Sequence, residues 1–208
     1  MTESTQTDTP PPTPADTAAT TTDRAPLRCV EPTAVHTTSE ARLAVEHWLL
    51  ATVPGGSDRA RTEWQTSGLT LLPVGTLFSA VRLPGDLVLA AGCTSWNPQV
   101  IDAFLDEALD GGPVICDLTH RRYYTLVPAS MPAKWQTAAE EWKPLGVECI
   151  GPGWVIGVPG LDITEPNATL YPSYWSVPPS SPAMLCAPLH VARLIAAGSH
   201  ALGMDAES

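Results

Sequence analysis

The chain has 208 residues, 44% of them hydrophobic, with a formal net charge of -11. Length and apolar share fit one domain with its own core, and the acidic balance argues against tight, sequence-independent binding to long nucleic acid, itself a dense polyanion. No stretch is long and apolar enough to span a membrane, and the N-terminus lacks a basic segment followed by an apolar one, so the expected location is the cytoplasm.

Residues 1–38 are rich in Thr, Pro, Ala and Asp, and Pro10, Pro11, Pro12 and Pro14 interrupt any helix. Such a segment buries too little surface to offset its ordering entropy, so a disordered tail is expected. A protein partner docking on its Pro-rich stretch is the functional alternative. The folded domain is expected over 39–203, with 204–208 a disordered C-terminus. Ser39 and Glu40 suit the start of a helix to Ala51, with Leu43, His47 and Leu50 on one face and Pro54-Gly55-Gly56 ending it. Leu69–Pro73 and Ser79–Leu83 read as strands joined by a turn at Gly75 and closed as a pair by Pro84-Gly85-Asp86; Leu87–Ala91 reads as another short strand. Asn97-Pro98 predicts a helix start, followed by an apolar stripe of Val100, Ile101, Phe104, Leu105 and Ala108 up to Gly111-Gly112. Val114–Cys116 and Tyr123–Val127 are strands around a polar turn. Pro132 opens a helix carrying Trp135, Ala138, Ala139 and Trp142. Strands at Val147–Ile150 and Trp154–Val158 flank Gly151-Pro152-Gly153, and Tyr174–Val177 reads as an edge strand. Pro188 starts a last helix to about Leu202, with Leu189, Ala192, Arg193, Ala196 and His200 at helical spacing. Strands arriving in adjacent pairs predict an α/β protein of the α+β type: a mixed or antiparallel sheet with flanking helices.

Several chemistries are excluded by pattern. The P-loop, the nucleophile elbow and the H-E-x-x-H zinc signature are missing. Gly151-Pro152-Gly153 opens no helix, so it is no dinucleotide fingerprint. Cys29, Cys93, Cys116, Cys149 and Cys186 never fall at C-x-x-C spacing, which points to reduced thiols rather than a zinc site. His120-Arg121-Arg122 is the basic cluster of the folded part, and it leads into Tyr123 and Tyr124. Cations beside aromatics suit a phosphate-and-base platform, the alternative being a solvated turn. Asp102, Asp106, Glu107 and Asp110 are expected to be solvated on the helix after Pro98.

From about Leu69 to Ile195 the chain resembles the bifunctional primase-polymerase domain of actinobacteria and their plasmids and phages, in its short stand-alone form. The matching stretches are LTLLPVGTLFSAVRLPG, GGPVICDLTHRRYYTLVP, VECIGPGWVIGVPG and YWSVPP. The resemblance implies a primase-polymerase-like fold. It also implies two divalent metals, Mg²⁺ or Mn²⁺, held by carboxylates if the chain is an active enzyme. The family's first acidic strand maps onto Phe78–Leu83, which holds Ser79 and Arg82 and no carboxylate. Its nucleotide-contacting His maps onto Tyr123, and Glu148 stands for a further acid. Asp86 and Glu148 are then the remaining catalytic candidates, and Asp117 a third acid for an active form. Arg82, His120, Arg121, Arg122, Tyr123 and Glu148 are the expected ligand-binding residues, with no metal and no cofactor. The first expectation is a catalytically degenerate protein binding a nucleotide or nucleic-acid end in a replication- or mobile-element-related role. An interaction module keeping only the fold, and an active divergent primase, are the alternatives.

Overall fold

The computed structural model describes residues 38–53, 55–92 and 94–206. The expected tail over 1–38, and the Cys29 and Cys93 thiols, thus lie outside the described residues, Thr38 excepted.

Helix α1 spans Thr38–Leu50 and α2 Ser57–Ser67. Strands β1 (Leu69–Pro73) and β2 (Phe78–Pro84) follow, then helices α3 (Gly85–Ala91) and α4 (Pro98–Ala108). A hairpin of β3 (Val114–Asp117) and β4 (Arg122–Pro128) leads to the short helices α5 (Met131–Lys134) and α6 (Gln136–Trp142). Strands β5 (Glu148–Ile150), β6 (Val155–Pro159) and β7 (Ser173–Val177) precede the long helix α7 (Pro188–Ala206). The main sheet has the order β5-β2-β4-β3-β7 and every pairing in it is antiparallel; β1 and β6 form a separate antiparallel ribbon. This is the expected α/β architecture with an antiparallel sheet between helices.

Alternation along the strands sends successive side chains to opposite faces. On one face Val81, Leu83, Tyr123, Cys116 and Tyr174 pack with Leu87 and Val88 of α3, Ile101 and Leu105 of α4, and Val191, Leu194 and Ile195 of α7. On the other, Phe78, Ala80, Leu126 and Trp175 pack with Val45 and Leu49 of α1 and with Leu72, Ile156 and Val158 of the ribbon. Trp48 of α1 meets the Phe78 ring at 5.5 Å. Helices α3 and α7 touch at Gly198, where a Cβ would come within 2.4 Å of the Leu87 carbonyl oxygen, so only glycine permits that approach. Gly75 has φ +97°, and a Cβ there would meet Pro152 at 2.5 Å; this glycine lets the β1–β2 turn pack on the turn before β6.

Several expectations are corrected. Residues 85–91 form helix α3 rather than a strand, because the apolar run is short and both of its buried leucine and valine positions face α7. Strands β1 and β2 do not pair; β1 reaches β6 instead. Helix α2 was not anticipated. It buries little beyond Ala60, and it is held by Arg61 Nε donating to Glu46 of α1 at 2.8 Å and Trp64 Nε1 donating to the Val158 carbonyl at 2.9 Å. On α1, Leu43 is 50% exposed and His47 lies in solvent, while Val45 and Leu49 face the core. The buried stripe of α7 is Val191, Leu194, Ile195 and Gly198; Leu189, Arg193, Ala196 and His200 face out. That helix runs to Ala206, past the expected boundary at 203. The helix at Pro132 breaks at Trp135 into α5 and α6.

Candidate functional site

The antiparallel registers place Glu148, Arg82, Tyr124, Ile115 and Trp175 side by side across β5, β2, β4, β3 and β7. The next row toward the hairpin turn is Pro84, Arg122, Asp117 and Ser173. Both rows belong to the face that carries α1 and the ribbon, but beyond Phe78 and Ala80 the half bearing Arg82 and Tyr124 lines open clefts.

The larger cleft has a volume of about 510 Å³, within the roughly 300–1,000 Å³ usual for small-molecule sites. Its floor is Arg82, Tyr124, Glu148 and Ile150. One wall is Gln136 and Glu140 of α6 with Lys143 in the turn that follows it, and the other is the start of β6 with Trp154. Trp154 is 67% exposed at the lip. The Arg82 guanidinium makes an ion pair with the Glu148 carboxylate across β2 and β5. Lys143 Nζ donates to both Glu140 carboxylate oxygens, at 2.7 and 2.6 Å. Each of these cations is already matched by an acid beside it.

The basic cluster divides three ways. Asp117 Oδ1 accepts from the backbone N–H groups of Thr119 and His120 at 3.0 and 3.1 Å, and Oδ2 lies 2.8 Å from His120 Nδ1. Together these residues line a smaller cleft of about 230 Å³. Arg121 sits at φ +49° and turns away, its guanidinium 5.0 Å above the Trp96 ring. Arg122 stays on the face of Arg82 by strand alternation and makes no ion pair among the described residues.

Tyr123, expected in the site, also lies elsewhere, as does Ser79 of the strand matched to the family's acids. Tyr123 points into the helix-side core with no exposed surface, and its hydroxyl has no oxygen or nitrogen partner, only the weakly bonding Cys116 thiol beside it. Burial pushes that hydroxyl's pKa up. Ser79 is buried on that side of β2 and donates to the Ala129 carbonyl at 3.2 Å. Tyr124, not the expected Tyr123, occupies the cleft; the pairing of Arg82 with Tyr124 decides between neighbours, and that register is not local. In the sequence Trp154 signals only the start of a strand after Gly151-Pro152-Gly153.

Asp102 is also corrected. It is half-buried rather than solvated, accepting hydrogen bonds from Tyr174 Oη at 3.0 Å and from Ser176 Oγ, which fasten α4 to β7. Burial raises its pKa, and the bonds from Ser176 and Tyr174 oppose the rise. Burial likewise pushes the Cys116 and Cys186 thiols up to about 12, so both behave as small core residues.

The three acids that an active polymerase would need are not gathered. Asp86 is exposed on the first turn of α3, Asp117 is committed to the hairpin turn, and Glu148 to Arg82. Among the described residues no group of three or more His, Cys, Asp or Glu is arranged to hold a metal ion. The described residues do not fit a two-metal centre. No family model, no curated protein and no solved structure matches this chain.

Proposed function

We propose that this chain is a cytoplasmic binding protein of primase-polymerase descent, and that its large cleft takes a nucleotide-class ligand without carrying out metal-dependent nucleotidyl transfer. The observation that carries the reading is the in-register row Glu148–Arg82–Tyr124 beneath the exposed Trp154. A planar base has the Trp154 and Tyr124 faces to stack on, and a phosphate has the planar fork of Arg82, which suits bidentate contact. Glu148 then orients Arg82 in the free protein and yields to the ligand's anion. The acidic net charge of -11 favours a short ligand over a long polyanion.

Exposed Leu71 and Val155 beside Trp154 on the β1–β6 ribbon favour a second reading, a module docking a protein partner through this apolar strip. Calorimetric titration of the full chain with nucleoside mono- and triphosphates separates the two. The first reading expects binding that is lost in Arg82→Ala; no heat from any nucleotide sinks it. Template-directed deoxynucleotide incorporation abolished by Asp86→Asn or Glu148→Gln would instead establish an active polymerase.

A further inference from the structure

The geometry points to a second subsite beside the Arg82 cleft, so that the site as a whole takes a phosphodiester-linked dinucleotide in preference to a single nucleotide. This rests on the nucleotide reading above and adds the length of the ligand to it. The small cleft is lined by Leu69, Ile115, Asp117, His120 and Pro172, and it shares Tyr124 and Gly157 with the large one. Its volume of about 230 Å³ falls below the roughly 300 Å³ at which a pocket serves a small molecule alone. It therefore serves as an annex to its neighbour. Apolar walls from Leu69, Ile115 and Pro172, with the His120 ring at one side, suit a second planar base.

The join between the clefts has the right chemistry for a linking phosphate. Arg82 pairs with Tyr124, and Arg122 lies two residues further along β4, which makes the two arginines diagonal neighbours on one face, a spacing of about 7–8 Å that long side chains bridge. Arg82 is held by Glu148, whereas Arg122 has no acidic partner among the described residues. Arg122 lines neither cleft, but its place two residues from Tyr124 on β4 puts its unpaired guanidinium within a long side chain's reach of a phosphate at the neck, where Arg82 needs only to exchange partners. Gly157 keeps the neck open: a Cβ there would press on the Leu69 side chain at 3.3 Å.

Calorimetry on the full chain compares deoxyadenosine monophosphate, deoxyadenosine diphosphate and the phosphodiester-linked dinucleotide of the same base. The dinucleotide is expected to bind about tenfold tighter than the other two, since one further stacked base is gained. The diphosphate controls for added charge. In Gly157→Val and in His120→Ala the ratio of dinucleotide to mononucleotide affinity should fall toward one, and His120→Ala decides alone if the valine variant does not fold. Equal affinities for mono- and dinucleotide in the parent chain, or a ratio that both variants leave intact, overturn the second subsite while the nucleotide reading stands. Silence from all three ligands overturns both.

Discussion

Replacing Glu148 by Gln removes an anion that already occupies Arg82. Their ion pair lies on adjacent strands, with the arginine side chain 23% and the glutamate side chain 54% exposed. A partly exposed pair of this kind contributes up to about 1 kcal/mol, and an incoming phosphate must give that up. The same phosphate is repelled by the nearby carboxylate, by about 1 kcal/mol at ~4 Å in the dielectric of water. Together these put the gain for Glu148→Gln at ~2 kcal/mol, or about 30-fold tighter binding of a nucleoside monophosphate. Calorimetry at low and moderate salt is the assay, and the gain should shrink as salt rises because both contributions are screened. Weaker or unchanged nucleotide binding in Glu148→Gln refutes the idea that Glu148 competes with the ligand for Arg82.

Other predictions follow from the same geometry. Trp154→Ala should cost nucleotide binding about 1–3 kcal/mol, the usual worth of one base–aromatic stack, and leave the melting temperature nearly unchanged, since this side chain is 67% exposed. Tyr123→Phe removes a buried hydroxyl whose one polar neighbour is the weakly bonding Cys116 thiol, so thermal unfolding should show no loss and a gain of up to about 1 kcal/mol with nucleotide affinity unaltered, whereas Tyr124→Ala should weaken binding; the reverse pattern would restore Tyr123 to the site. Asp102 has its folded-state pKa raised above the ordinary 3.8, chiefly by burial. Its folded form holds the proton more tightly, so its contribution to stability is greatest in acid and is lost as pH rises through the folded value. Asp102→Asn should therefore be most stabilising relative to the parent near neutral pH, with the difference shrinking as pH is lowered; a difference independent of pH in melting experiments contradicts this.

What was legible in the sequence was mostly local. Asn97-Pro98 and Pro188 announce α4 and α7 through the fixed φ of proline at a first helical turn, although the Asn97 side chain makes no capping bond. The boundaries of β1 were read directly, and the β3–β4 hairpin follows from a polar turn between two apolar runs. Helix α2 escaped because it has almost no apolar stripe; its signals were Ser57-Asp58 at one end and Gly68, in the left-handed conformation, at the other. The run at Leu87–Ala91 was too short for periodicity to separate helix from strand. Pairing between β1 and β6, some 85 residues apart, leaves no local trace. The same non-locality limited the site. Arg82 and Glu148 were named and do meet, but which tyrosine joins them depends on a register set across three strands. Asp102 looked solvated because its partners, Tyr174 and Ser176, belong to a strand more than seventy residues away.

The central claim is that nucleotide binds on the Glu148–Arg82–Tyr124 row beneath Trp154. Its most direct test is an amide and indole NMR titration of the full chain with a nucleoside monophosphate in the absence of added metal. The account predicts shifts concentrated at Arg82, Tyr124, Glu148 and the Trp154 indole, with Tyr123 and α7 little changed. Shifts confined to another surface, or none at saturating nucleotide, would contradict it.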